Sequence, residues 1–210
     1  MREVFPGVFH WTAIHPNLHA PVSSYYVEPA GVLIDPMVPD GGWEAFAERT
    51  RPQQVLLTSG NHTRDAARFA EEYGCPIVTS REGAERIGDG LATELYSESH
   101  DVAPGVRAIH IGILSPDEYA LHVDVGEGAI AVADGVTRYG DVLGFFPDHL
   151  LGDDPQRIKA GLKQQLATLL DRRFEHLLFA HGDPIVGGGR TALADFVNSP
   201  VGQEDFGASI

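Results

Sequence analysis

Three apolar runs in this chain each end in residues able to hold a metal ion. VLLT at 55–58 runs out into His62 and Asp65 of SGNHTRD, AIAVA at 129–133 into Asp134, and HLLFA at 176–180 into His181. Imidazole and carboxylate together suit Zn²⁺, Mn²⁺ or Fe²⁺. His62 and Asp65 stand three apart where a helix is expected to begin, so both can face one point. An ion held there would acidify a bound water and polarise a carbonyl or phosphoryl oxygen, which is the chemistry of hydrolysis. Asp134 and His62 are then the candidate catalytic residues, with Asp134 orienting the water or accepting its proton. A plainer reading of the same side chains stands beside this one. His62 and Asp65 would be a helix cap and its neighbour, Asp134 a turn residue, and His181 a loop histidine bonded locally.

The elements that must position these residues read as two similar halves. Strands are expected at 4–12, 23–28 and 31–35, with a Pro29-Ala30-Gly31 turn joining the last two. Trp43 to Arg51 reads as a short helix. QVLLT at 54–58 is nearly all apolar, as a strand covered on both sides should be. Thr63 to Tyr73 reads as a helix with Ala66, Ala67, Phe69, Ala70 and Tyr73 as its apolar stripe and Gly74 as its stop. PIVTS at 76–80 is the next strand and EGAERI at 82–87 a short helix. The second half runs through VRAIHI, YALHVDV and AIAVA as strands. Asp154 and Pro155 then open a helix striped by Ile158, Leu162, Leu166, Leu169 and Leu170. HLLFA is another covered strand, and Gly187-Gly188-Gly189 enters a last helix around 190–198. Two halves that each mix strands and helices imply an α/β (α+β) fold, two sheets packed face to face with helices outside.

Composition narrows the function classes. The chain has 210 residues, read as a single domain over 1–210, with 15 Lys+Arg against 30 Asp+Glu and a net charge of −15. Nucleic acid and anionic lipid both need a basic face that this balance does not supply, so neither is an expected partner. No apolar run approaches the length of a membrane span, and MREVFPGVFHW lacks the regions of a signal peptide. The expected location is the cytoplasm. Cys75 is the one cysteine, which excludes an internal disulfide and a Cys-rich zinc site.

GVLIDP, QVLLT, YALHVDVGEGAIAVAD and HLLFAHGDPI, in that order, resemble the consecutive strands of a metallo-β-lactamase-fold hydrolase, from about residue 4 to 198. The resemblance implies a four-layer αββα sandwich with its site at the strand ends along one edge. It also implies one or two Zn, Fe or Mn ions that activate water. The family's first metal motif is His-x-His-x-Asp-His. With one inserted residue, Gly60 takes the first histidine's place, His62 the second's, Arg64 the aspartate's and Asp65 the last histidine's. The ligand histidine of the family's Gly-His-Ser-Pro-Gly segment is replaced by Leu114, in ILSPDEYALH. The bridging aspartate is matched by Asp134 and the final histidine by His181. The metal set implied is therefore His62, Asp65, Asp134 and His181, enough for one divalent ion and short of two.

Two functions follow. The first is a hydrolase of a small-molecule substrate that uses one Zn, Fe or Mn ion. The second is a metal-free domain that binds a small molecule or a partner, in which Arg64 and His62 form a polar pair for an anionic ligand. Other candidates have plainer readings. His15 and His19, in AIHPNLHAP, sit in a loop that overhangs the site in the family, and read as exposed. His122 reads as solvent-facing. Asp117-Glu118 reads as a turn before a strand, Asp153-Asp154 as a helix cap, and the glycine triplet as a helix-entry turn. No Gly-x-Ser-x-Gly elbow is present.

Overall fold

A computed structural model describes residues 1–88, 90–91, 94–96 and 101–201. Two sheets lie face to face. The first contains β1 (Arg2–Phe5), β2 (Val8–Ile14), β3 (Pro21–Val27), β4 (Val32–Ile34), β5 (Gln54–Leu56), β6 (Ile77–Thr79) and β7 (Glu94–Leu95), side by side in chain order. It is antiparallel from β1 to β4 and parallel from β4 to β7. Helices α1 (Ala66–Tyr73) and α2 (Arg81–Ile87) interrupt it in sequence. The second sheet uses β8 (Asp101–Ala103), β9 (Val106–His110), β10 (Tyr119–Val123), β11 (Ala129–Val132) and β14 (His176–Phe179), in the order β14-β11-β10-β9-β8. A separate hairpin pairs β12 (Thr137–Tyr139) with β13 (Val142–Gly144). Helices α3 (Pro155–Ala167) and α4 (Gly189–Asn198) complete the chain, and none of the described helices is long and apolar enough to cross a membrane.

The layers follow from side-chain alternation. Successive strand residues point to opposite faces, and here both faces of the central strands are covered. Val32, Ile34, Leu56, Leu121, Ala131 and Leu178 meet between the sheets. Leu33, Val55 and Leu57 point the other way, onto Phe69 of α1 and onto Phe46. Ile130, Val132, Leu177 and Phe179 pack outward on Leu162 and Leu166 of α3 and on Leu193 and Phe196 of α4. The result is the expected αββα sandwich, and it explains why QVLLT and HLLFA carry no polar face. Two helix readings shift in detail. The stretch after Trp43 is a 3-10 segment over Gly42–Phe46, and the helix expected from Thr63 begins at Ala66.

Two of the parallel strand pairs fix where a site can form. β4 pairs with β5, and β11 with β14, so Asp35, Thr58, Asp134 and His181 follow strand ends that point the same way. Cross-sheet bonds tie those ends together. The Ser23 amide donates to the Ala180 carbonyl at 2.9 Å, and the Tyr119 amide to the Thr58 carbonyl at 2.9 Å. The Tyr25 hydroxyl donates to the Phe179 carbonyl at 2.9 Å.

Candidate metal centre

His62, Asp134 and His181 converge at this edge, offering ligand atoms that all lie within 4.8 Å of one another. One carboxylate oxygen organises them. Asp134 Oδ1 is 3.2 Å from His62 Nε2 and 3.1 Å from His181 Nε2. His62 arrives on a 3-10 turn over Gly60–His62, capped by Ser59, whose hydroxyl accepts from the Asn61 amide at 3.2 Å. His181 follows β14 directly. Its carbonyl accepts from the Arg138 amide at 3.0 Å, and Gly182 behind it is required. Its φ is +112°, and a Cβ there would collide with the Arg138 carbonyl oxygen. The Phe146 ring meets His181 edge-on, with centroids 5.2 Å apart.

A residue not counted among the candidates in the sequence completes the arrangement. Asp35 is buried, and its Oδ2 accepts from His62 Nδ1 at 2.9 Å and from the Thr58 hydroxyl at 2.5 Å, while Oδ1 accepts the Thr58 amide at 2.8 Å. It obeys the rule that pointed to Asp134, an acid following a buried strand. Both His62 nitrogens thus face carboxylates. Burial works against its charge, but Asp134 and Asp35 outweigh burial and raise His62 to about 10. Asp134 is likewise buried, yet His62 and His181 hold its carboxyl far below the usual range.

These donors fit one divalent ion. In a tetrahedral site with bonds of about 2.0–2.1 Å, two ligand atoms stand about 3.3 Å apart, close to the two separations around Asp134 Oδ1. Asp35 behind His62 is the carboxylate that commonly orients a ligating imidazole and fixes its tautomer. An ion entering would displace the Nε2 proton of His62.

The other positions to which the resemblance points make contacts of their own. Asp65 stands outside the group of three. Its Oδ2 accepts the Val38 amide at 2.8 Å and its Oδ1 pairs with Arg68 at 3.2 Å, so it braces the 36–38 loop. Arg64 takes up a left-handed φ of +40°, and its guanidinium donates to three carbonyls: Ser23 at 2.5 Å, Asp35 at 2.7 Å and Ala180 at 3.4 Å. Those bonds point it away from the anion-holding role that its pairing with His62 suggests. Gly60 has no room for a side chain, because a Cβ would meet Arg86 Cδ at 2.9 Å, the Gly83 carbonyl at 2.9 Å and Asp117 Oδ2 at 3.0 Å. Leu114 lines a cavity of about 800 Å³ together with Ile113, Leu150, Leu151 and Ile158.

Asp117 and Glu118, read as a turn before a strand, do more than turn the chain. Both are buried. Asp117 accepts from the Gly60 amide at 2.6 Å and from Arg86 at 2.9 Å, which seals the turn carrying His62. Glu118 accepts the Gly135 amide at 2.5 Å. Burial, and next the charge of Asp134, push it up to about 8. His122 is half-buried, and its Nε2 donates to the Arg173 carbonyl at 2.9 Å. Asp154 caps α3 as expected, accepting from the Arg157 amide at 3.1 Å.

Solved structures share this fold. A metallo-β-lactamase from Pontibacter korlensis superposes with a TM-score of 0.68 at 13% identity, covering 95% of this chain and 98% of its own. One from Hirschia baltica gives 0.65 at 15% identity, with 93% and 94% covered. A metallo-β-lactamase family protein from Thermus thermophilus gives 0.62 at 15% identity, with 93% and 79% covered. No protein-family model and no curated protein sequence matches the chain. At these identities the likeness is one of fold, and the fold is that of the metallo-β-lactamases.

Proposed function

We propose that this chain, built on the metallo-β-lactamase fold, is a hydrolase of a small-molecule substrate that works with one divalent metal ion. The observation that carries the reading is the meeting of His62 Nε2, Asp134 Oδ1 and His181 Nε2, with Asp35 behind His62. A bound ion would supply an acidified water and a polarised substrate oxygen. The chain's own residues do the rest. Asp35 holds the His62 ring so that Nε2 faces the site. Asp134 would hold the ion with one oxygen, beside the two imidazoles, and leave the other to accept the attacking water's proton. Phe146 stands edge-on against His181.

A second reading rests on one observation. His62, flanked by Asp35 and Asp134, closes a complete ion network with no metal, as a ligand-binding domain would. Zinc, iron and manganese content after purification without chelator separates the two, paired with a screen of esters, lactones and phosphoesters. One ion per chain, with turnover abolished by His181→Ala and Asp134→Ala, is the expected result. Two ions per chain would refute the single-ion site, and no ion with no turnover would leave the binding domain.

A further inference from the structure

Asp117 and Glu118 are consecutive acids, 1% and 2% exposed, that stand immediately before β10. Their backbone is held from several directions. The Glu118 amide donates to the Ser115 carbonyl at 3.1 Å, and the Glu118 carbonyl accepts from the amides of Ile111 at 2.9 Å and Gly112 at 3.2 Å. One residue on, the Tyr119 amide is tied to the Thr58 carbonyl. From this fixed point the two side chains reach different turns. Asp117 Oδ2 accepts from the Gly60 amide at 2.6 Å and from the Ser59 hydroxyl at 3.2 Å, where the turn that carries His62 begins. Its Oδ1 accepts from Arg86 at 2.9 Å and from the Ser115 hydroxyl. Glu118 Oε1 accepts at 2.5 Å from the amide of Gly135, the residue after Asp134.

Both contacts are close approaches to backbone. A Cβ on Gly135 would stand 2.7 Å from Glu118 Oε1, as one on Gly60 would crowd Asp117 Oδ2. His62 follows β5 of the first sheet and Asp134 follows β11 of the second, so the 3.2 Å between His62 Nε2 and Asp134 Oδ1 is a distance from one sheet to the other. Apolar packing between the sheets is non-directional. Hydrogen bonds from one dipeptide to both turns fix direction and length.

We propose that Asp117 and Glu118 are positioning residues for the ion: acting through the Gly60 and Gly135 amides, they set the separation of His62 Nε2 and Asp134 Oδ1. Neither carboxyl touches the ion. The inference rests on the single-ion hydrolase reading for what is held, and on the contacts of the two carboxyls for the bridge.

Zinc affinity of the full-length chain, read by competition with a chelator, is the measure. Glu118→Ala and Asp117→Ala should each weaken zinc binding about tenfold, the low end of the cost for residues behind a ligand. Glu118→Gln, which keeps an oxygen for the Gly135 amide, should bind zinc as the parent chain does. Either break frees the same separation. The double alanine variant should therefore be weakened about as much as each single one, and not by the roughly hundredfold product of independent effects. Val123→Ala, a core truncation at the other end of β10, should lower the urea midpoint and leave zinc affinity unchanged. If Glu118→Ala does not fold, Glu118→Asp, one methylene short of the Gly135 amide, takes its place. Parent affinity in the alanine variants, a product in the double variant, or an equal loss in Val123→Ala overturns the proposal. If the parent chain takes up no zinc, the hydrolase reading fails, and the bridge is judged on the ion-free proteins by long-range ¹H–¹⁵N correlation. The His62 imidazole resonances should then move in both alanine variants, return in Glu118→Gln and hold still in Val123→Ala. Resonances that stay in place in the alanine variants overturn the bridge as well.

Discussion

Replacing Glu118 by glutamine should change how stability depends on pH, and the structure gives the sign and the size. Glu118 is 2% exposed, its Oε1 accepts the Gly135 amide, and its Oε2 has no partner among the described residues. Burial, with the charge of Asp134 next, raises its pKa from 4.5 to about 8. Between those values the folded protein keeps a proton that the unfolded chain has released. Raising the pH therefore favours unfolding, at about 1.4 kcal/mol for each pH unit in the window. From about pH 5 to about pH 7.5 this amounts to about 3 kcal/mol. Glu118→Gln keeps an oxygen for the Gly135 amide and has nothing to titrate. Its stability relative to the parent chain should rise by that amount over the same range. Urea unfolding of the two ion-free proteins at a series of pH values, extrapolated linearly to water, measures the difference. Titrations common to both chains, that of His62 included, largely cancel. Two parallel curves would refute the argument and mean that water reaches Glu118 in the folded state.

Three further outcomes follow from the same site. Asp35→Asn should weaken zinc binding about 10–100-fold by releasing the His62 ring, as read by chelator competition; an unchanged affinity would show that Asp35 serves only the fold. Arg64→Met should lower the unfolding free energy by about 1.5–3 kcal/mol, because it removes the charged donor shared by the Ser23, Asp35 and Ala180 carbonyls, of which the last two keep other donors. A urea midpoint equal to the parent's would show that the clamp is dispensable. Gly60→His, which restores the residue type the family places there, should cost about 1–3 kcal/mol by overpacking and leave metal content at no more than one ion per chain. Thermal melting with elemental analysis checks both, and a second ion in this variant would contradict the steric account of Gly60.

The fold was legible wherever a strand was long enough, or covered enough, to leave a pattern. QVLLT and HLLFA are apolar on consecutive residues because each has a sheet on one side and helices on the other. β12 and β13 are three residues each, too short to show an alternation, and the β7 pair Glu94–Leu95 carries none. The convergence of His62, Asp134 and His181 was legible because each follows such a strand, and Asp35 could have been found by the same rule, at the end of GVLID. Glu118 could not. Asp117-Glu118 read as a turn before a strand, and the Gly135 amide that Glu118 binds lies 17 residues away in sequence. Arg64 was legible as a cation in a ligand's place. Its partners at Ser23, Asp35 and Ala180 come from three segments that meet only in the folded chain.

Gly60, Arg64 and Asp65, which stand where the family resemblance points to metal ligands, are each built into the scaffold. Asp117, Arg86 and the Gly83 carbonyl crowd the position where Gly60 stands for a histidine. Arg64 spends its charge on drawing together the ends of β3, β4 and β14, the strands that frame Asp35 and His181. Asp65 secures the loop at Val38. Both Asp35 and Arg64 hold positive φ values, +45° and +40°, a strain that L-residues sustain only where surrounding bonds fix them. Those bonds brace His62, Asp134 and His181 from behind.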